Sequence, residues 1–438
     1  MCGKRKDSAR MARAARPRWP TKPANKIFLE LSGCIRQNRY SVREYLTRTQ
    51  ALKSQIAFLT LLASAPSSWV MEYSPKLDPL TFQGKTTHMY KTLLLMGLFC
   101  LSISAKTIDI KDYATPNDGL NDRPGFQAAA DELRTSGGGT LIISEGTWDI
   151  GDAAILFIGN YVSYKIVGDK GSIIRIASAP NFSSFEVGNA NSFEMRDLVF
   201  IGGTNGVDTA SILNANYTGQ VLVKGCRVFG VYGAYALFYT SNVDAVYEGN
   251  QFDGSGSNLA VIAAGGGGFR SLTVRNNTFF DYANFNGGYY SKPGSTPAWI
   301  RVEPTDEQLV NAAWGSTVII DNNRLDEGAV NAISIKNVRN LQIRNIAVNV
   351  SGTTPGAGIV LDNVKYGSVI NSVFGYVQAR RPALVLRNES NVEISKLDFG
   401  GGVYLGTFDR SSRLVPVGLC TGCSVKPLNG GGSSGGSK

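Results

Sequence analysis

Four carboxylates in the second half of the chain follow a repeated apolar anchor at nearly the same offset. They lie six or seven residues after Tyr247, Val274 or Ile320, and they are Asp253, Asp281, Asp326 and Glu327. If the anchored segments stack as paired strands, these side chains come within about 5–10 Å of one another. Two carboxylates at that separation can act on a glycosidic bond, and three or four can hold Ca²⁺. Each Asp could instead be a turn residue that caps its own backbone.

Residues 282–314 form a long insertion that is rich in aromatic side chains, Gly and Pro. The aromatic candidates for stacking on sugar rings are Tyr282, Tyr289, Tyr290, Trp299 and Trp314. Lys292 and Arg301 could pair with sugar carboxylates or sulfates, or abstract a proton from a substrate. The alternative is that the aromatic residues only pack the insertion onto the rest of the molecule. Long loops in a regular scaffold are usually functional, but the sequence leaves both interpretations of these aromatic residues open.

Histidine and cysteine usage narrows the possible chemistry. The only histidine is His88, so the rest of the chain has no imidazole for Ser-His-Asp or Cys-His catalysis or for a His-ligated metal site. The pair Cys420 and Cys423 has no second CxxC, which favours a local disulfide over zinc. Cys226 lies at a core-type position and is predicted to be a buried thiol. No metal ligand set is predicted.

The charge of the chain is concentrated at its start. Residues 1–88 contain 16 Lys and Arg against 5 Asp and Glu, although the whole chain has a net charge of only +10. The remainder is close to neutral, so nothing in it indicates a nucleic-acid partner. Residues 1–88 are predicted to be a disordered basic leader or no part of the mature protein, and they are excluded from fold reasoning.

Residues 89–105 are predicted to be a signal peptide. Lys91 supplies a short basic region, an apolar stretch follows, and Ser102 and Ser104 suit a cleavage site. The stretch is too short to span a bilayer comfortably, so the mature chain is expected to have no transmembrane segment and to be secreted, periplasmic or on the cell surface. Residues 106–418 would form the folded domain, and residues 419–438 a Cys-containing, then Gly/Ser-rich flexible tail.

A pattern with a period of about 22–28 residues is the strongest signal in the chain. Two large apolar residues are separated by four positions, and the first of each pair is Met195, Val223, Tyr247, Val274, Ile320, Ile343, Val369 or Ile394. A unit this short cannot bury its own apolar face, but stacked coils of parallel strands can. Asn250, Asn277 and Asn323 share one offset. They are predicted to adopt the left-handed conformation that a sharp turn needs and to stack their amides as a ladder. The interval between Val274 and Ile320 fits two coils, or one coil with an insertion.

The segment before the repeat predicts a strand near 107–110, a helix over 126–133 with Asp122 as N-cap and Pro124 in its first turn, and further strands from 140. Together with the repeat, this opening resembles the right-handed parallel β-helix proteins of the pectate-lyase superfamily. The matching residues are Asp112-Tyr113-Ala114, Asn117-Asp118-Gly119, Asp122, Phe126-Gln127-Ala128-Ala129, Gly137-Gly138-Gly139-Thr140 and Gly146-Thr147-Trp148. The chain departs at Arg123, where a second Asp is frequent, and at Ser144-Glu145, where Pro is common.

The resemblance implies an all-β, single-stranded right-handed parallel β-helix with an N-terminal capping α-helix. It covers about residues 106–415 and is more specific for fold than for chemistry. It implies a secreted carbohydrate-active enzyme that binds a polysaccharide, which could be anionic, along the β-helix and cleaves it as a lyase, with Ca²⁺, or as a hydrolase. The alternative is a non-catalytic carbohydrate-binding adhesin or a tailspike-like structural protein. The sequence leaves the glycan and the oligomeric state open.

Overall fold

The computed structural model describes a parallel β-solenoid of about nine turns. The described residues are 105–159, 161–176, 180–202, 207–241, 243–266, 269–280, 296–305, 316–326, 329–349, 356–375, 382–400 and 404–416. All of them belong to the second of two compact units, Leu98–Lys438. Among these residues, no helix has the length and apolar character that a membrane crossing requires. The all-β, parallel β-helix architecture predicted from the repeat is confirmed.

Each coil contributes one strand to each of three parallel sheets, called here the first, second and third face. The strands of the first face are Lys106–Asp109, Gly138–Ile143, Ser163–Gly168, Ser192–Arg196, Gln220–Lys224, Asp244–Glu248, Ser271–Arg275, Thr317–Asp321 and Arg413–Pro416. Those of the second face are Gly146–Ile150, Ser172–Ile176, Val199–Ile201, Arg227–Phe229, Gln251–Asp253, Thr278–Phe280, Arg324–Leu325 and Ala347–Asn349. Those of the third face are Ile155–Ile158, Phe185–Gly188, Leu213–Asn216, Ala236–Ser241, Ala260–Gly265, Thr296–Glu303, Pro382–Arg387 and Tyr404–Phe408.

Three long strands in the last coils run through the corners of the solenoid without a break. Ala329–Arg344 passes from the third face to the first, Ile359–Gly375 passes through all three faces, and Asn391–Phe399 joins the first to the second. A small separate sheet, outside the three faces, pairs Tyr232–Gly233 with Gly256–Ser257 in the connection between the second and third faces. The chain therefore visits the faces in the same order in every coil.

The repeated apolar anchors form continuous rows inside the solenoid. On the first face, Met195, Val223, Tyr247, Val274 and Ile320 pair in register from coil to coil. All five are buried in one apolar core. Because Val274 pairs directly with Ile320, the long interval between them is one coil with an insertion.

The outward positions of the first face carry a row of alternating charge. Lys224, Glu248, Arg275, Asp321 and Arg344 occupy equivalent positions on successive coils. Glu248 pairs with Lys224 at 3.4 Å and with Arg275 at 3.1 Å, and Asp321 pairs with Arg344 at 3.1 Å. Charges of opposite sign thus meet along this face of the solenoid.

The predicted asparagine ladder is present at the corner between the first and second faces. The Nδ2 of Asn250 donates to the Oδ1 of Asn277 at 2.9 Å, and the Nδ2 of Asn277 donates to the Oδ1 of Asn323 at 3.0 Å. All three amides are buried, and they also bond backbone groups of the turn. The ladder therefore satisfies polar groups that the corner would otherwise leave unpaired in the core.

The left-handed backbone conformation belongs to the residue before each ladder amide. Gly249, Asn276 and Asn322 have φ of 65°, 58° and 51°, whereas the ladder residues do not have positive φ. The expectation that one asparagine serves both roles is thus wrong. Gly and Asn hold the left-handed position because they tolerate it at least cost.

A single α-helix among the described residues, Arg123–Thr135, precedes the coils. Its buried face includes Phe126 and Leu133, and it packs on the strands Gly138–Ile143 and Ile155–Ile158. Asp122 stands at the N-cap position, but its carboxylate does not cap the helix. It accepts a hydrogen bond from the backbone N–H of Asp149 at 2.8 Å instead, which ties the helix start to the second face.

We predict that Asn277→Ala lowers the free energy of unfolding by about 2–4 kcal/mol, because it leaves the buried N–H of Asn250 without its acceptor and removes two ladder bonds. Urea denaturation of the full chain measures the change. Asn276→Gly is the matched control, since glycine adopts the neighbouring left-handed conformation without strain. A loss at Asn277 no larger than that at Asn276 would contradict the structural role of the ladder.

We predict that Asp122→Asn stabilises the protein at neutral pH. Burial raises the pKa of Asp122 from 3.8 to about 6, so the folded state holds a proton that the unfolded state releases, and stability falls as the pH rises between these values. Asparagine keeps the acceptor oxygen without the charge, and should raise the free energy of unfolding by about 1–3 kcal/mol at pH 7. The difference should vanish below pH 4, and the exposed control Asp152→Asn should change the free energy of unfolding by less than about 0.5 kcal/mol.

Candidate functional site

The outer surface of the third face has a floor of small side chains in three successive coils. The strands Ala236–Ser241, Ala260–Gly265 and Thr296–Glu303 pair in register. On their outer side, a cluster separate from the main core contains Ala236, Ala260, Ala263 and Ala298. A side chain at Gly265 would be 3.8 Å from the Tyr239 hydroxyl and 2.8 Å from the carbonyl oxygen of Glu303. The four alanines are buried, and the partly buried Tyr239 and Leu259 pack against them.

Two tyrosines stand at one side of this floor. The rings of Tyr235 and Tyr239 meet edge to face, with their centroids 5.1 Å apart. Burial raises the pKa of Tyr235, and the adjacent Tyr239 hydroxyl adds to that effect, while the Arg301 cation opposes it. Tyr235 is therefore a protonated hydroxyl donor at neutral pH, beside an apolar ring surface.

Arg301 and Lys336 both contact the carboxylate of Glu303. Arg301 and Glu303 are successive outward-facing residues of the strand Thr296–Glu303, and the Arg301 Nε donates to the Glu303 Oε2 at 3.0 Å. Lys336, on the next coil, approaches the Glu303 Oε1 at 3.6 Å. Burial alone would raise the pKa of Glu303, but the bonds and charges of Arg301 and Lys336 outweigh it and hold that pKa below its ordinary value. Glu303 is thus an ionised acceptor between two cations.

These five residues, Tyr235, Tyr239, Arg301, Glu303 and Lys336, are called here the tyrosine–arginine site. It offers hydroxyl donors, a carboxylate acceptor, two cations and aromatic surface on one rigid sheet. Both long interruptions of the repeat adjoin it in sequence, because 281–295 lead into the strand Thr296–Glu303 and 306–315 follow it. This set of groups suits a ligand with many hydroxyls and with carboxylate or sulfate groups.

Asp253 and Asp326 lie on the second face, away from Arg301 on the third. The register puts Phe280 opposite Asp253 and Leu325 opposite Phe279, so a phenylalanine lies between the two acids. They are two coils apart, which is about 9–10 Å along the sheet. Asp326 also pairs with Arg324 at 2.8 Å. The two described acids are therefore at the upper end of the separation expected from the sequence, and the row as a whole stays a prediction because Asp281 and Glu327 lie outside the described residues.

Trp299 is not a surface residue, which corrects its expected role in stacking on sugar. Its side chain is 2% exposed and packs against Phe279, with 5.8 Å between ring centroids. Its Nε1 donates to the backbone carbonyl of Asp326 at 2.7 Å. Trp299 faces the core because the strand Thr296–Glu303 turns it inward while Ala298 faces out.

Several predicted residues lie outside the described part of the chain. They are Asp281, Tyr282, Tyr289, Tyr290, Lys292, Trp314, Glu327, Cys420 and Cys423. The basic leader, the signal peptide and the Gly/Ser tail also lie outside it and stay predictions. Within the described ranges, no group of three or more His, Cys, Asp or Glu side chains is arranged to hold a metal ion. Cys226 is a free, buried thiol whose pKa burial raises to about 12.

Sequence reasoning found Arg301 but missed the rest of the tyrosine–arginine site. Glu303, Tyr235, Tyr239 and Lys336 were not among the predicted site residues, because no motif marked them. Their positions within the repeat could have identified these four residues, because each of them lies in or next to a strand of the third face. The Arg301 guanidinium donates to Glu303, and its role toward a substrate, as a cation or in proton abstraction, stays a prediction.

Comparison with known proteins gives likenesses in fold only. No protein-family model matches the chain, and no curated protein matches it. Among solved structures, the A-module of the Azotobacter vinelandii mannuronan C-5 epimerase AlgE6 is 15% identical with a TM-score of 0.44, over 73% of this chain and 97% of that one. The tailspike of E. coli bacteriophage HK620 is 14% identical with a TM-score of 0.46, over 70% and 66% of the two chains.

A third similar structure is the catalytic unit of a thermostable alpha-1,3-glucanase from Streptomyces thermodiastaticus. It is 11% identical with a TM-score of 0.36, over 76% of this chain and 69% of that one. The epimerase and the glucanase are, by name, enzymes of polysaccharides. At this level of similarity, no residue role can be carried from these proteins to this chain.

We predict that Trp299→Phe lowers stability by about 1–3 kcal/mol without changing ligand binding, because it removes a buried hydrogen bond and some core volume. Thermal and urea unfolding of the full chain measure the first effect. Retardation in polysaccharide-containing gels measures the second. Weaker retardation of a variant that is still folded would instead support the surface role that the sequence suggested.

Proposed function

We propose that this protein binds a polysaccharide along the third face and processes it at the tyrosine–arginine site. The observation that carries the proposal is the combination of protonated Tyr235, ionised Glu303 and the cations Arg301 and Lys336 on one sheet. A carbohydrate needs donors and acceptors for its hydroxyls and flat apolar surface for its ring faces, and this site has all three. The rigid sheet fixes their spacing.

The site suggests a division of roles. Arg301 and Lys336 would bind an anionic group of the sugar, and the Tyr235 and Tyr239 hydroxyls would bond ring or glycosidic oxygens. Glu303 is ionised at neutral pH and would take the proton from the sugar carbon next to the carboxylate group; Tyr235 is protonated and would donate its proton to the departing glycosidic oxygen as the C–O bond breaks and the new C=C bond forms. A proton-transfer reaction of the lyase type fits one carboxylate beside two cations better than two-carboxylate hydrolysis does.

The proposal includes export of the protein from the cytoplasm. A signal peptide at 89–105 would deliver the protein to the periplasm, the cell surface or the medium, where polysaccharides are found. A bound Ca²⁺ belongs to the proposal only for a lyase reaction. Binding without catalysis is the competing function, because the same groups would serve an adhesin or a tailspike-like protein.

The test is to incubate the purified full chain with pectic, alginate, sulfated and neutral glycans, with and without Ca²⁺. Reducing ends and ultraviolet absorbance of unsaturated products are measured together. We expect both signals to appear with an anionic glycan. Reducing ends alone would move the chemistry to hydrolysis, and gel retardation without products would favour the binding protein. No product and no retardation with any glycan would refute the proposal.

We predict that Glu303→Gln and Tyr235→Phe each reduce the rate on the active glycan by about 100-fold or more, because each removes one proton-transfer group. The matched control is Arg275→Met, which breaks an ion pair of the same kind on the first face. Circular dichroism establishes that each variant is folded. Unchanged rates in folded Glu303→Gln and Tyr235→Phe would remove the tyrosine–arginine site from the mechanism.

A further inference from the structure

Two exposed tyrosines adopt a backbone conformation that is unfavourable for them. Tyr161 and Tyr217 lie at the corner between the third and first faces, with φ of 59° and 50°. Their side chains are 79% and 68% exposed. A left-handed conformation costs an ordinary L-residue roughly 1–2 kcal/mol, and it is an outlier for a bulky one.

The fold does not require a tyrosine at this corner. In the coil between the two, the left-handed residue is Asn189, with φ of 52°, and it occupies the position equivalent to Tyr217. Asparagine adopts this conformation at lower cost. The backbone N–H groups of Tyr161 and Tyr217 bond the carbonyls of Asn189 and Ser241, bonds that any non-proline residue would make. Packing therefore gives no reason for the two rings.

The rings stand beside a surface that continues the tyrosine–arginine site. In register with Tyr239 lie Asn214, Glu186 and Leu156 on the three preceding coils. Ile158 lies in the next outward row of the same face, in register with Ser241 three coils away, and it is 46% exposed. Three coils span about 14 Å, which extends the site toward the N-terminal end of the third face.

The chemistry of this extension is that of a sugar surface. The side chain of Asn216 donates from Nδ2 to the Oδ1 of Asn214 at 3.1 Å, which leaves further amide capacity for hydroxyls. Leu156 and Ile158 are exposed apolar side chains, and the rings of Tyr161 and Tyr217 rise at the edge. Sugars present alternating apolar ring faces and hydroxyl edges, which suit such a surface.

We propose that Tyr161 and Tyr217 are binding residues for the part of the polysaccharide chain that extends beyond the tyrosine–arginine site toward the N-terminal end of the third face. This inference rests on the proposed function and adds a preference for long chains over short oligomers. Their strained backbone is a stability cost that ligand binding explains and packing does not.

The test replaces each tyrosine by the residue that the intervening coil already uses. Tyr161→Asn, Tyr217→Asn and the double variant of the full chain are compared with wild type by retardation in gels that contain polygalacturonate, alginate, dextran sulfate or xylan. The control Leu120→Asn removes another exposed apolar side chain, in the loop before the helix. Thermal unfolding is recorded in the absence of glycan.

We expect each tyrosine variant to bind the retarding glycan about 3–10-fold more weakly, with little change for its short oligomers. We also expect each to unfold at a temperature roughly 1–3 °C higher, because the strain is relieved. Unchanged retardation in variants of a wild type that is itself retarded would overturn this inference alone. Lower unfolding temperatures would overturn it too, by showing that the rings stabilise the fold. A wild type retarded by no glycan would refute the proposed function and this inference with it.

Discussion

Parallel pairing of each coil with the next is the constraint on which the rest of the structure depends. A strand of three to six residues has little stability alone, but it gains a full set of backbone hydrogen bonds when the next coil adds an equivalent strand. Side chains alternate between the two sides of each sheet, so the inward rows of apolar anchors also fix which residues point outward. A shift of one residue would turn Tyr239, Arg301 and Glu303 toward the core.

The three faces differ in the side chains that this pairing directs outward. The first face carries alternating charges that satisfy one another, as in the row from Lys224 to Arg344. The second carries phenylalanines and carboxylates, with Arg324 lying 5.0 Å from the Phe280 ring centroid and paired with Asp326. Among the described residues, the third face has a buried floor of alanine and glycine with mixed polar groups at its rim. Cations, a carboxylate and hydroxyls beside an aromatic surface are what a sugar ligand needs, and this is why we propose the site there.

The fold was predictable because its signal is repeated. Tyr247 or Val274 alone is only an apolar residue, but eight anchors at similar spacing are compatible with few architectures. Asn250, Asn277 and Asn323 also marked the position of a turn in three of the coils. The site was less predictable because it is assembled across coils. Tyr239 and Arg301 are 62 positions apart in sequence and two coils apart in space. Asp253 and Asp326 shared an offset with each other, but the offset could not reveal that Phe280 lies between them.

The insertion between Val274 and Ile320 has a consequence for how such a protein can diversify. Its two ends lie on adjacent coils, so the distance between them is the same whatever the length of the segment. Closing a connection of 46 residues instead of the usual 25 or so costs only about 0.5 kcal/mol more in chain entropy. Exchange of residues 281–295 or 306–315, which keeps the paired strand Thr296–Glu303 in place, would therefore cost little chain entropy. Sequence and length could vary in these two stretches while the solenoid itself stays constant.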